Sequence, residues 1–314
     1  MALSNKIKLN QIVPFFGLAF LLIIFSLIIG GKFWTGENML AIFNQTVLIM
    51  MGGLGMIFVV AQGSVDISQG SSLALIAMIT GIAANKFGVM AVLPTVILTG
   101  AAVGLFNGLV VSKLRVPSLT CTLATLIAFR ALVAVISGGD VIYIPAEMLS
   151  FSDFGIMFPV FIALVLIVGY LFEYTRVGYY SKAIGENEVK AQYTGVPVIP
   201  MKVVAFVLSG IMAGIAGVFT LSRIGGADPN MGNFFELEVL LALFAGGISV
   251  SGGMSTRIYR LFIGAITIGV LVNGLSLCNV SADIAEGVKG LILILVVFLA
   301  LNFASKRGKK ESLA

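Results

Sequence analysis

Apolar runs of about 20 residues recur along almost the whole chain, and they constrain its fold more than any other feature. A helical run of that length matches the roughly 30 Å hydrocarbon core of a bilayer. The runs are continuous rather than alternating, so they do not resemble the strands of a membrane barrel. The chain is 59% hydrophobic and 11% charged, whereas soluble domains carry about 25% charged residues. The sequence therefore predicts an all-α polytopic membrane protein.

The apolar runs predict ten membrane spans. The first follows Lys6 and Lys8 and is interpreted as retained, because no small-x-small cleavage site follows it. Several runs are short for a complete crossing, which favours tilted, broken or re-entrant helices. The predicted spans are residues 12–30, 42–61, 71–84, 91–112, 118–137, 158–173, 201–222, 237–250, 260–279 and 285–303.

The distribution of lysine and arginine predicts that both termini are cytoplasmic. An even number of spans places the termini on one side. If that side is cytoplasmic, 14 of the 19 basic residues lie on cytoplasmic segments, where membrane proteins concentrate lysine and arginine. The other five fall on outer segments or outer helix ends. The five are Lys32, Lys86, Arg130, Arg223 and Lys289. The formal charge of +5 is therefore attributed to cytoplasmic loops and not to nucleic-acid binding.

The longest polar interval between two apolar runs, residues 175–202, lies on the predicted cytoplasmic side. Within it, Asn187 is suited to cap a helix, Gly195 to end one, and Pro197 prevents continuation. A helix of about two turns is not stable alone in water, so packing or a partner must hold it. Two interpretations stay open: a solvated loop, or a docking element on which a cytoplasmic protein pushes.

Two glycine- and serine-rich breaks interrupt the apolar sequence, at residues 63–72 and 246–256. The first contains Asp66, and a carboxylate within hydrocarbon costs about 2.5–3.5 kcal/mol. It is either an ordinary loop in which Asp66 caps a helix or a re-entrant break beside a translocation path. Gly63 supplies turn flexibility, and Ser68 or Ser71 is expected to cap the following helix. Two such breaks favour a transporter.

Other polar groups in the apolar runs are weaker candidates for lining a path. Asn44 and Gln45 lie in the second span, and Thr122 of the fifth is expected either to bond to backbone carbonyls or to line a polar face. Arg130 is expected to extend its long side chain towards the outer interface, or else to face solute or a docked protein.

Small residues at a spacing of four predict close helix packing. Gly100, Gly104 and Gly108 follow this spacing in the fourth span. Asn107 and Asn273 are expected to form hydrogen bonds between helices.

The sequence also excludes several kinds of site. It contains no phosphate-binding G-x-x-x-x-G-K-[ST] motif, so the chain is not expected to hydrolyse ATP. Cys121 and Cys278 both lie in apolar runs and histidine is absent, which argues against a disulfide framework or a metal site.

Four motifs resemble those of one family, the membrane permease subunits of ribose-type ABC sugar importers. Their superfamily includes nucleoside and branched-chain amino acid permeases. The motifs are GSVDISQGS (63–71), PSLTCTLATLIAFRA (117–131), TRVGYYSKAIGENEVKAQYTGV (175–196) and the GGISVSGG…VNGL region (246–275). Together they cover most of the chain in the family's order.

The resemblance implies roles by position. A coupling helix that docks on a separate ATPase would be formed by Ala183, Ile184, Gly185, Glu186, Asn187, Ala191 and Gly195. Asp66, with neighbours such as Gly63 and Ser68, would border the translocation path. The chain departs from the family pattern at Ser64, Gln69, Ala124, Ala131, Tyr179 and Glu186. Glu186 replaces a glycine within the coupling motif, where it would tune pairing with the ATPase.

The resemblance also implies an assembly in a bacterial inner (cytoplasmic) membrane. One permease domain over residues 1–314, with its coupling loop at about 174–201, would pair with an identical or paralogous permease. Cytoplasmic ABC ATPase subunits would bind ATP and Mg²⁺, and an extracytoplasmic solute-binding protein would deliver the solute. The chain itself would bind no cofactor. The expected cargo is a monosaccharide such as ribose, galactose or xylose, with a nucleoside or a quorum-signal furanose as the alternative.

Two further function classes stay open at this point. The first is an ion-coupled secondary transporter that uses Asp66 as its proton or sodium site and responds to ionophores. The second is a membrane scaffold that shows no uptake.

Overall fold

A computed structural model describes residues 9–311 of the chain, and side chains from residue 14 to residue 298. The helices are α1 Leu9–Ile29, α2 Gly36–Ala61, α3 Gln69–Phe87, α4 Val92–Ser112, α5 Ser118–Ser137, α6 Phe154–Tyr174, α7 Arg176–Glu186, α8 Glu188–Tyr193, α9 Val198–Ile224, α10 Phe235–Ala245, α11 Ile258–Leu277 and α12 Ala282–Glu311. Two-residue strands β1 (Ile142–Tyr143) and β2 (Gly226–Ala227) pair antiparallel.

The chain divides into two compact units. The first comprises the residues up to Met50, the segment Leu237–Val250 and the residues from Tyr259 onward. The second comprises Met51–Glu236 and Ser251–Ile258. Helix α2 runs from the first unit into the second, and α11 begins with the last residue of the second.

The prediction of an all-α polytopic membrane protein is confirmed. Eight of the described helices are long and apolar enough to cross a membrane. The third and sixth predicted spans are longer than expected, 19 and 21 residues. The eighth is shorter, because α10 has only 11 residues, or about 16 Å at 1.5 Å per residue. The cytoplasmic location of the termini stays a prediction, and Lys6 and Lys8 lie outside the described residues.

Helices α4 and α9 pack with their backbones in contact, as the glycine spacing predicts. A Cβ atom built on Gly100 would lie 2.8 Å from the Cα of Ile211, and one built on Gly108 would lie 2.8 Å from the Cα of Val203. Real Cβ atoms do not approach backbone atoms this closely. The three glycines of α4 are therefore required by the packing of α9, which is how small residues act in membrane helices.

We expect Gly104→Ala to destabilise the protein by about 1–3 kcal/mol through overpacking. Its Cβ would overlap the carbonyl oxygen of Phe206 and lie 2.5 Å from the Cα of Val207, and both are backbone atoms that no rotamer change can move aside. The matched control is Gly169→Ala on α6, where no atom lies within 4 Å. Thermal unfolding in detergent measures both variants. Equal melting temperatures would contradict the close contact.

The β1–β2 pair ties together two connections of the second unit. Ile142 lies opposite Ala227 and Tyr143 opposite Gly226. The Ser222 hydroxyl, near the end of α9, donates to the carbonyl of Met148 at 2.6 Å. These bonds fix the segment between α5 and α6 against the end of α9.

Candidate functional site

The polar interval after α6 contains two helices, each capped by a side chain. Thr175 Oγ1 accepts from the backbone N–H of Val177 at 3.3 Å and begins α7. Asn187 Oδ1 accepts from the N–H of Lys190 at 2.9 Å and begins α8, as predicted. Gly195 ends α8 in the left-handed region, with φ +85. The local sequence thus specifies α8, whereas α7 was not predicted.

A small core holds α7 and α8 on the protein. Ile184 and Ala191, two residues predicted for the coupling helix, are buried together with Val196 and Val198. Tyr180, Ala183 and Met201 pack against this cluster. Packing therefore supplies the stability that α8, with six residues, does not have alone.

The opposite face of α8 presents apolar side chains outward. Val189 is 61% exposed and Tyr193 is 88% exposed, and their spacing of four places them on one helix face. Glu186, Asn187 and Gly195 are also exposed, whereas Ile184 and Ala191 face inward. Sequence reasoning did not select Val189 or Tyr193, although their alternation with the inward-facing Ala191 would have indicated them.

Gly185 lies at a backbone-to-backbone contact of three segments. A Cβ atom there would overlap the carbonyl oxygen of Ala61, the last residue of α2, and lie 2.6 Å from the nitrogen of Gly253. The N–H of Gly253 donates to the same Ala61 carbonyl at 2.9 Å. Gly253 itself has φ +91, a conformation that favours glycine. Gly253, in the second half of the break at residues 246–256, therefore packs directly on the end of α7.

Two glutamates attach this break to α6 and α7. Glu186 Oε1 accepts from the N–H of Met254 at 2.7 Å, so this departure from the family pattern makes a contact within the chain. Sequence reasoning did not select Glu173, near the end of α6. Its carboxylate accepts from Lys182 Nζ at 2.7 Å, Arg257 Nη1 at 2.9 Å and the N–H of Ile258 at 2.9 Å.

Lys182 is enclosed by its partners. Its side chain is 4% exposed, and its Nζ also lies 4.3 Å from the ring centroid of Phe172, a favourable arrangement for a cation. An acidic residue at the end of an apolar run, shortly before a lysine, is the sequence signal that would have indicated Glu173.

Asp66 lies buried in the break between α2 and α3. Its Oδ1 accepts from the backbone N–H of Ser68 at 3.1 Å and from the Ser68 hydroxyl at 2.6 Å. Its Oδ2 accepts from the Ser209 hydroxyl of α9 at 2.7 Å. Ser68 precedes α3 but makes no side-chain capping bond, so the prediction that it caps this helix is wrong: its hydroxyl donates to Asp66, and its oxygen accepts from Asn107.

Asn107 and Thr122 lie next to the same break. Asn107 Nδ2 donates to the Ser68 hydroxyl oxygen at 2.9 Å. Its Oδ1 accepts from Cys121 Sγ of α5 at 3.9 Å, which confirms its predicted bond between helices. Thr122 is fully buried and donates to the carbonyl of Ser118 at 2.8 Å. The carbonyl oxygen of Val65 lies 3.5 Å from its hydroxyl. The structure thus brings Asp66, Ser68 and Thr122 into one neighbourhood.

Arg130 and Gly63 lie at other contacts. Arg130 Nη1 donates to the carbonyl of Met231 at 2.7 Å. Its guanidinium thus binds backbone in the connection after β2, and the expected extension towards the outer interface stays a prediction. Gly63 has φ +71, and a Cβ there would lie 3.2 Å from the carbonyl oxygen of Ser251.

The first unit contains its own charged network. Lys289 Nζ donates to Glu238 and to Glu286, both at 2.7 Å. The other oxygen of Glu238 accepts from Gln45 Nε2 at 3.0 Å. Lys289 is 4% exposed, so it is a buried ion-pair partner and not only a basic residue near a helix end.

Among the side chains that the structure describes, two asparagines of the first unit have buried oxygens without a hydrogen-bond partner. They are Asn44 and Asn273. The predicted interhelical bond of Asn273 is therefore absent at its oxygen. The assignment of Asn44, Gln45, Gly63, Asp66, Ser68, Thr122 and Arg130 to a translocation path stays a prediction.

Comparison with known proteins identifies the family. The family model described as the permease component of branched-chain amino acid transport systems matches residues 38–297. The chain belongs to this permease family. With its long apolar helices, the permease is a multi-pass protein of the inner membrane. No solved structure shows significant similarity to it.

The permease is similar along its length to sugar import permeases. It is 32% identical to the ribose import permease of Haemophilus influenzae over 92% of this chain and 92% of the relative. Identity to the D-allose transport permease of Escherichia coli is 33% over 91% of this chain and 90% of the relative. Identity to the L-arabinose transport permease of Escherichia coli is 34% over 85% of this chain and 90% of the relative.

Proposed function

We propose that the permease is the membrane-spanning subunit through which an ATP-driven importer passes a monosaccharide. The relatives carry names of ribose, D-allose and L-arabinose transport, which supports a sugar as the cargo. The observation that carries the proposal is the α7–α8 pair. Its own core fastens it to the protein, while Val189 and Tyr193 remain exposed for a partner.

In this proposal a cytoplasmic ATPase receives α8 in a surface groove. Val189 and Tyr193 would be the apolar anchors, in the manner of other helices that bind in grooves. The ATPase would bind ATP and Mg²⁺, and its closure would push on α7 and α8. A second permease, identical or paralogous, would complete the path, and a solute-binding protein would deliver the sugar on the outer face. Movement of the helices around the translocation path would then open it to one side of the membrane at a time, which is alternating access.

We assign Asp66 a supporting role beside this path. Ser68 donates to one of its oxygens and Ser209 of α9 to the other, so the carboxylate holds the α2–α3 break against α9. Irregular backbone within a membrane protein requires such internal partners. Gly63, Thr122 and Arg130 on neighbouring segments, and Asn44 and Gln45 of the first unit, remain our candidates for contact with the sugar.

The proposal is tested by copurification with the ATPase encoded beside the permease, followed by ATPase assays in proteoliposomes. We expect the ATPase to copurify, and the matching sugar with its binding protein to raise ATP turnover. Tyr193→Asp should remove the ATPase from the complex, because it places a charge in an apolar groove. The matched control is Tyr143→Asp on β1, which is 76% exposed and separated from α8 by the membrane span α6.

An ion-coupled secondary transporter would give the opposite result in these assays. A secondary transporter would take up solute without an ATPase, and its uptake would collapse under an ionophore. Retention of the ATPase by Tyr193→Asp would show that α8 is not the docking element.

A further inference from the structure

Segment Ser251–Ile258 makes contacts that the docking role of α8 does not require. It contains the second half of the break at residues 246–256 and ends at the first residue of α11. Gly252 and Gly253 have φ +71 and +91, which lets their backbone lie against the end of α2. A Cβ on Gly252 would overlap the carbonyl oxygens of Val60 and Ala61.

The segment is attached to α6 and α7 at its middle and at its end. At its middle, the N–H of Met254 donates to Glu186 Oε1, on the last residue of α7. At its end, Arg257 and the N–H of Ile258 donate to Glu173, near the end of α6. Glu173 also accepts from Lys182 of α7. Two carboxylates therefore join this segment to α7, the helix that precedes the docking surface on α8.

These attachments leave little room for independent movement. Gly185 contacts the backbone of Gly253 and Ala61 with no side chain between them. Flexible side chains can change rotamer when a neighbouring element moves, but backbone atoms in contact cannot. A displacement of α7 is thus passed to Ser251–Ile258. Because Ile258 is the first residue of α11, the displacement reaches the start of that helix.

We propose that Glu173 and Glu186 are positioning residues that fasten Ser251–Ile258 to α7, so that movement of the docked ATPase reaches the end of α2 and the start of α11. This inference rests on the proposed function and adds the route of transmission to it. Glu186 serves through its hydrogen bond to Met254, and Glu173 through its bonds to Lys182, Arg257 and Ile258.

The test measures sugar molecules transported per ATP hydrolysed by the reconstituted complex. Glu186→Ala removes the acceptor of the Met254 N–H, and we expect the ratio to fall on the order of tenfold, the effect of losing a hydrogen bond to a charged group. Glu186→Gln keeps an oxygen acceptor and should restore most of the ratio. Glu173→Gln, which loses its ion pairs with Lys182 and Arg257, should lower it as well.

The matched control is Glu147→Ala. Glu147 is an exposed carboxylate in the connection between α5 and α6, so its removal takes away a charge without touching α7, α8 or Ser251–Ile258. Its transport ratio should stay at the level of the unmodified permease. An unchanged ratio in Glu186→Ala would overturn the inference and leave the proposed function intact. An unmodified permease that copurifies with no ATPase would overturn both.

Discussion

Replacing Gly185 with alanine is expected to reduce sugar uptake at least about tenfold. The added Cβ would meet the Ala61 carbonyl oxygen and the nitrogen of Gly253, and both belong to backbone. Overpacking of this kind costs about 1–3 kcal/mol, and 1.4 kcal/mol corresponds to a factor of ten. Because α7 cannot keep its position, the docking surface on α8 would be displaced with it.

Uptake by proteoliposomes that contain the assembled transporter measures this effect. Gly169→Ala on α6 is again the control, because its Cβ meets no atom within 4 Å. The amount of copurified ATPase shows whether a loss of uptake arises from assembly or from a later step. Uptake by Gly185→Ala equal to that of the control would contradict the backbone contact.

Replacing Lys289 with methionine is expected to lower the free energy of unfolding by about 3–5 kcal/mol, the usual cost of breaking a buried ion pair. Methionine keeps the apolar stem but leaves the carboxylates of Glu238 and Glu286 without their shared cation. Glu238 is only 12% exposed, so water does not replace the lost partner. Thermal unfolding in detergent should show a clear fall in melting temperature.

Two further variants interpret that result. Lys86→Met removes an exposed lysine, and its melting temperature should stay close to that of the unmodified permease. Adding Glu238→Gln to Lys289→Met removes one of the unpaired carboxylates and should recover part of the loss. A double variant less stable than Lys289→Met would show that the ion pair is not the source of the stability.

The sequence predicts those features that depend on neighbouring residues. Apolar runs specify the long helices, and Asn187 and Gly195 specify the ends of α8 because capping acts over a few residues. Gly100, Gly104 and Gly108 indicate a close helix contact, although their spacing alone does not name α9 as the partner. The length of α10 was not predicted, because its apolar run continues beyond the end of the helix at Ala245.

The contacts that join distant segments could not be predicted. Glu173 and Ile258 are 85 residues apart, and Glu186 and Met254 are 68 apart, so no local pattern links them. Lys289 was counted as an outer basic residue, since charge statistics do not reveal a buried partner. Ser68 or Ser71 was expected to cap α3, but the Ser68 oxygen accepts from the distant Asn107 while its hydroxyl donates to Asp66.

The contact between α4 and α9 has a mechanical consequence for the transport cycle. Two helices whose backbones touch along three successive turns cannot slide past each other without separating, so they are expected to move as one rigid body. Bending within this part of the molecule must then occur where the pair ends. Arg115 beyond α4, with φ 56, and Gly225 beyond α9, with φ +83, mark those ends. The stiffness of this pair therefore confines the hinges to the short connections at the two ends of the pair, one near each face of the bilayer.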